Sequence, residues 1–274
     1  MNERVLIALD LEGVNNVVGE AYSGLYKGSD GWEVARRQAA KEINAAAEAL
    51  FLMGAQRVAV WDNHAGGGNV DPADLDTRVE LLTVNNELPR MYFGFEFDVL
   101  CFFGYHAMEG TLGGVLAHTM NSGMVQYYKL NGKYIGEVDM DAYIAASHGV
   151  PSIFFAGGNI ACRQAKMAVT DIVTVVTKTE LSRNEAVYRD DGELMLDIKN
   201  GIALAMKKER PMKTLEFPAT FEKSFKRVED AAKYIERLFA LGIEAGYLED
   251  KILGKDAHTV ASKIYSIDDF IACI

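Results

Sequence analysis

The sequence predicts an α/β protein, with a mainly parallel central sheet flanked by helices and a smaller α+β portion towards the C-terminus. Three features predict it. Short apolar runs alternate with helix-length amphipathic stretches through the first half, the order that a parallel sheet with crossover helices produces. Two of the runs, Val99 to Tyr105 and Ser152 to Ala156, are almost wholly apolar, as strands covered on both faces must be. A basic, turn-prone segment from Lys207 to Lys213 then precedes mixed strand and helix signals. It sets a division between an α/β domain of residues 1–210 and a smaller α+β portion of residues 211–274.

In chain order, Val5 to Leu9 is the first strand, a run too short for a secretory h-region or a membrane span. Trp32 to Met53 is helical, because Ala35, Ala39, Ile43, Ala46 and Leu50 recur on one face, and Gly54 supplies a C-terminal stop. Arg57 to Trp61 and Arg78 to Thr83 are further strands. Asn131-Gly132, between Gln126 to Leu130 and Lys133 to Val138, suits a type I′ hairpin placed inside the α/β body. Val138 to His148 and Asn159 to Val169 read as helices and Ile172 to Lys178 as a strand. Beyond the division, Thr214 to Phe217 and Thr259 to Ile264 carry strand signals and Glu229 to Leu241 a helical one.

Composition excludes several classes of function. At 274 residues and 49% hydrophobic the chain can bury a large core without disulfides. A formal net charge of −11 provides no broad positive field, so neither nucleic acid nor an anionic membrane surface is an expected partner. Cys101, Cys162 and Cys273 are odd in number, widely spaced and set among apolar residues. They read as buried thiols of a protein in the reducing cytoplasm, and the lack of a C-x-x-C pair removes thiolate zinc binding and redox work.

The candidate chemistry lies at strand ends. In open α/β sheets the crevice beyond the carboxyl ends of the strands is where ligands bind. Asp10 and Glu12 follow the first strand with one residue between them, which in an extended segment points both carboxylates to one side. Two anions so placed call for a cation, although a D-x-E pair also serves as a helix cap or surface charge. His64, His106 and His118 each sit where a predicted strand ends, and each alone could be a satisfied structural histidine. Carboxylates joined by imidazoles from other strands are a ligand set for one zinc, or for a pair sharing a bridging carboxylate. Glu137 and its neighbour Asp141 compete for a further acidic role, while Asp62 and Asp139 could orient an imidazole, cap or lie at the surface.

Asp10-Leu11-Glu12-Gly13, Asp62-Asn63-His64, Gly104-Tyr105-His106-Ala107, His118 and Gly136-Glu137 occur in an order that resembles the DppA-type D-aminopeptidases, peptidase family M55. The likeness is close over roughly the first 145 residues and weaker through Pro151 to Gly158. It implies two zinc ions per chain bridged by Asp10, with Glu12 and His64 completing one site and His106 and Glu137 the other. It also implies that His118 acts as a catalytic residue beside the metals, and that the chain assembles into a ring-shaped homo-oligomer, a homodecamer in the family. Two positions depart from the pattern: Ala8 stands where the family has serine, and Met108-Glu109 where an arginine often follows.

The expected activity is zinc-dependent hydrolysis of short peptides with a free N-terminus and a D-residue first, by metal-activated water. His118 would shuttle the proton. Two other readings use the same residues. A two-metal phosphoesterase would want Arg or Lys beside the metals, and a non-catalytic peptide- or metal-binding protein would leave His118 without a task.

Overall fold

The computed structural model describes residues 3–20, 24–210, 212–250 and 254–274; Pro211, in the turn-prone segment at the division, lies outside them. The chain runs β1 (Glu3–Leu9), α1 (Asp30–Leu52), β2 (Ala55–Asp62), β3 (Val79–Leu81), β4 (Val99–Tyr105), β5 (Val125–Leu130), β6 (Lys133–Ile135), α2 (Glu137–Ser147), β7 (Ser152–Gly157) and α3 (Asn159–Ala168). It continues through β8 (Val173–Val176), β9 (Lys178–Ser182), β10 (Glu185–Tyr188), α4 (Asp191–Ala205), β11 (Ala219–Phe225), α5 (Val228–Ala240), β12 (Glu244–Asp250), β13 (Gly254–Ile264) and α6 (Ile267–Cys273).

Six strands form the expected parallel sheet in the order β3-β2-β1-β4-β7-β8. Alternate residues of β1 feed opposite faces. Val5, Ile7 and Leu9 pack with α1 and with Leu194, Ile198 and Ile202 of α4, whereas Leu6 and Ala8 pack with α2, α3 and a second sheet. Both faces are therefore covered, which is why β4 and β7 are buried along their whole lengths. The order reverses at β1, whose neighbours are β2 on one side and β4 on the other, and this switch point opens a crevice at the carboxyl ends of those strands.

The second sheet is antiparallel, in the order β12-β13-β11-β5-β6. Asn131 and Gly132 take the positive φ of the predicted turn, but the hairpin joins this sheet rather than the parallel one. Tyr128 and Leu130 pack beside Phe221 there, so the sheet draws strands from both sides of residue 210. Three boundaries also move. β6 stops at Ile135 because Gly136 caps α2, so Glu137 begins a helix. The run Ile172 to Lys178 breaks at Thr177, whose hydroxyl donates to the carbonyl of Gly13, and Lys178 opens a separate hairpin of β9 and β10. Thr214 to Phe217 forms no strand; Leu215 half-buries itself against the core and pairing starts at Ala219.

Two glycines allow the strand ends to touch. Gly104 has a φ of +70°, and a Cβ there would lie 1.9 Å from the carbonyl oxygen of Asp10. A Cβ on Gly13 would lie 2.1 Å from the carbonyl oxygen of Tyr105, and the Gly13 N–H donates to Gly104 at 2.6 Å. The loops after β1 and β4 thus meet backbone to backbone. Gly104→Ala combines left-handed strain with a steric overlap, so a loss of about 3 kcal/mol or more is expected in urea unfolding.

Candidate metal centre

The crevice gathers the titratable residues from five segments. Asp10 and Glu12 leave β1, His64 follows β2, His106 follows β4, His118 lies in the loop beyond it and Glu137 is the first residue of α2. The N-terminus of a helix favours a carboxylate, and the Met120 N–H fixes Glu137 Oε1 at 2.7 Å. All five predicted ligands are buried.

Their polar atoms converge on Asp10. His64 Nδ1 is 3.0 Å from Asp10 Oδ1 and 3.1 Å from Glu12 Oε2. On the other side His106 Nε2 is 3.5 Å from both Asp10 Oδ2 and Glu137 Oε1. Asp10, Glu12 and His64 therefore form one donor set and Asp10, His106 and Glu137 another, each with its atoms within 4.8 Å. The two sets share Asp10. His118 stacks on His106, with ring centroids 4.0 Å apart and planes 14° from parallel, and its Nε2 is 4.0 Å from Glu137 Oε1. The same distance bound also holds for Glu12, His106 and His118.

The surroundings fit a divalent cation. Each ring points one nitrogen at a backbone carbonyl: His64 Nε2 at Leu25 (3.1 Å), His106 Nδ1 at Ala107 (2.9 Å) and His118 Nδ1 at Leu116 (2.9 Å). Donation to a carbonyl fixes the tautomer, leaving the lone pair of the neutral ring on the nitrogen that faces the carboxylates. His106 Nε2 is buried and has no hydrogen-bond partner, an arrangement that a ligand atom explains.

The charges press the same way. Burial and the Glu12 carboxylate push the Asp10 acid up to about 7. For Glu12, burial acts upward but the His64 ring outweighs it and holds the acid well below the usual range. For Glu137, burial is likewise overcome by His106, and the acid falls to about 2. Burial opposes the charge on both rings, yet Glu12 and Asp10 carry His64 up to about 12 and Glu137 carries His106 up to about 10. Burial and then the charge of His106 lower His118. Dications would replace the protons on His64 and His106 and neutralise all three carboxylates.

The remaining acids have other tasks. Asp62 accepts from the N–H and side chain of Asn69, which in turn donates to the His64 carbonyl, so it fastens the loop carrying His64 rather than an imidazole. Asp139 caps α2 through Gly136 N–H and pairs with Lys213. Asp141 is fully buried and takes a bidentate ion pair from Arg90 plus a hydrogen bond from the Tyr105 hydroxyl, so it stands outside both donor sets.

Sequence reasoning missed two residues around this centre. Lys178 is fully buried, and its ammonium donates to the carbonyls of Glu12, Val14 and Val17. A lysine closing an apolar run was its available signal. Arg90, whose Nη1 donates to Asn63 and whose guanidinium lies 4.8 Å from the Trp61 ring centre, had no local signal. The centre opens into a cleft of about 560 Å³, lined by Asp10, Glu12, His64, His118 and Glu137 together with Arg90 and Arg183.

The peptidase M55 family model, described as D-aminopeptidase, matches residues 3–239. A D-aminopeptidase of Bacillus subtilis (strain 168) is 25% identical over 226 residues, covering 78% of this chain and 81% of the relative. Among solved structures, the Zn-dependent D-aminopeptidase DppA from Bacillus subtilis, described as a self-compartmentalizing protease, superimposes with a TM-score of 0.83 at 21% identity. That match covers 98% of this chain and 94% of the other, so the two share one fold. With the family model spanning most of the chain and the buried histidine and carboxylate sets in its crevice, this chain belongs to peptidase family M55, the D-aminopeptidases, and is a metallo-aminopeptidase.

Proposed function

We propose that the chain holds two zinc ions and hydrolyses short peptides with a free N-terminus, a D-residue first. The observation that carries this reading is the pair of donor sets sharing Asp10. Asp10 would serve both sites, with Glu12 and His64 completing one and His106 and Glu137 the other. The zinc-dependent neighbour and the family's D-aminopeptidase description support metal and chirality. When bound, the zinc pair supplies Lewis acidity, which brings a water towards ionisation at neutral pH and polarises a peptide carbonyl.

The chain's own residues do the rest. Burial and then the charge of His106 both disfavour the charged form of His118. With Nδ1 donating to Leu116, its Nε2 faces the cleft as the free acceptor, ready to take a proton and return it to the leaving amine. The self-compartmentalizing description of the neighbour supports assembly of this chain into an oligomer, for which the family resemblance implies a ring-shaped homodecamer. Three buried free thiols support a cytoplasmic setting, and among the described residues no helix is long and apolar enough to cross a membrane.

Metal analysis by mass spectrometry, beside hydrolysis of D- and L-alanyl p-nitroanilide with and without EDTA, tests the reading. About two zincs per chain and EDTA-sensitive, D-selective cleavage are expected. Metal-free protein that turns over neither compound after zinc is restored would overturn it.

A further inference from the structure

Arg90 reaches the cleft wall from the segment between β3 and β4, with Met91 beside it buried in the core. Among the described residues it makes no hydrogen bond to either donor set, yet its bonds end beside both. Its Nε and Nη2 donate to the two Asp141 oxygens at 2.6 and 2.8 Å, and its Nη1 donates to Asn63 Oδ1 at 3.0 Å. Asn63 Nδ2 donates to the Tyr105 hydroxyl at 3.2 Å, and that hydroxyl donates to Asp141 Oδ2 at 2.7 Å. The four side chains close a ring in which every donor meets an acceptor, and the Trp61 ring covers the guanidinium at 4.8 Å.

Each other corner of this ring is tied to a proposed ligand. Asn63 precedes His64, Tyr105 precedes His106, and Asp141 lies one turn after Glu137 on α2. Residues four apart share a helix face, so holding Asp141 fixes the rotation of the turn that presents Glu137. Stability alone does not call for such a pair, because desolvation of two buried charges offsets much of their attraction.

The support is uneven between the two donor sets. His64 has anchors of its own: its Nε2 points at the Leu25 carbonyl, and its main-chain carbonyl accepts from Asn69, which Asp62 holds. The other set meets the ring from two sides, His106 through Tyr105 and Glu137 through Asp141; beyond the ring, Glu137 has the Met120 N–H. We propose that Arg90 is a positioning residue of the metal centre, which through Asp141, Asn63 and Tyr105 sets the His106 and Glu137 donors at their distance from Asp10. The proposal rests on the two-zinc reading and assigns it a residue outside both donor sets.

The test is stepwise zinc binding, measured by competition with a chelating dye, in the unsubstituted chain, Arg90→Met, Arg90→Lys and Arg57→Met. Arg57 is the matched control: it pairs with Glu80 and Glu96 and lies 4.7 Å from the Phe97 ring centre, but near the amino end of β2. In Arg90→Met one zinc should stay as tight as in the parent and the other should weaken about 10- to 100-fold, the range for loss of a group that orients a ligand. Adding Glu12→Gln should then weaken the zinc that stayed tight, whereas adding Glu137→Gln should leave it in place. Arg90→Lys, which keeps the charge but not the fork, should recover part of the loss, and Arg57→Met should bind as the parent does. The pair Arg90→Met and Asp141→Leu leaves no buried charge unpaired and should show the same loss, which covers the case in which Arg90→Met alone does not fold. Unchanged affinities on removal of Arg90, equal weakening of both zincs, or the same loss in Arg57→Met would overturn the proposal alone. Fewer than two zincs on the unsubstituted chain would sink the two-zinc reading, and the proposal with it.

Discussion

Asp10→Ala is expected to remove zinc from both sites together and to lower kcat/KM by about 10³-fold or more, because it takes away the residue common to the two donor sets. Each remaining set would keep one carboxylate and one imidazole, too few for a closed or catalytic zinc site. His118→Ala provides the contrast. It removes a proton carrier and no bridging ligand, so the protein should keep its zinc while losing about 10²- to 10⁴-fold in turnover, the usual range for a positioned acid or base. Metal analysis and steady-state kinetics on the two variants, side by side, check both. Full zinc retention in Asp10→Ala would show that the sites do not share it, and unchanged turnover in His118→Ala would remove that residue from the chemistry.

Lys178→Met should weaken both the fold and the centre. The ammonium is fully buried and satisfies the carbonyls of Glu12, Val14 and Val17, which methionine cannot do. Leaving buried carbonyls unpaired costs about 1–3 kcal/mol apiece, so a loss of about 3–5 kcal/mol in urea unfolding is expected after partial relaxation. Because one of those carbonyls belongs to Glu12, the loop that aims its carboxylate at His64 should loosen as well. Zinc affinity, measured by competition with a chelating dye under conditions where the variant is folded, should fall about 10- to 100-fold, as for loss of other groups that orient a ligand. A variant that unfolds more easily but binds zinc as tightly as the parent would confine Lys178 to packing.

Much of the parallel sheet was legible from short-range pattern. Val99 to Tyr105 was readable as a buried strand because a strand covered on both faces has no polar alternation, and the Trp32 to Met53 helix because its small apolar residues recur on one face. It starts at the Ser29 cap and stops before Gly54, whose φ is +91°. α4 was also within reach, since Leu194, Ile198 and Ile202 lie four residues apart behind the Asp190 cap, but only the basic segment after it was read, as the division between the two portions. β11 was misplaced onto Thr214 to Phe217, because a strand in an antiparallel sheet is decided by its partners and Ala219 to Phe225 pairs with β5 and β13.

Chemistry at the centre followed a similar division. Asp10, Glu12, His64 and His106 were visible because each sits within three residues of a strand's carboxyl end, and the order of a parallel sheet brings such ends together. Glu137 was ambiguous, since the local pattern could not distinguish a hairpin exit from the helix start at which it lies. Asp141 competed with it on equal terms until Arg90, 51 residues earlier in the chain, was found to hold it.

The sequence by itself determined the strand and helix periodicity, the turn at Asn131-Gly132, the acidic surface charge and the residue types able to bind a metal, because these depend on neighbours along the chain. Only the tertiary structure decided that Asp10 faces both imidazoles, that β5 and β6 belong to the second sheet, and that Lys178, Arg90 and Arg183 surround the centre. Those relations join groups as much as 166 residues apart, as Lys178 and Glu12 are. Contact at that separation is set by strand order, burial and the satisfaction of buried polar atoms, none of which a local pattern encodes.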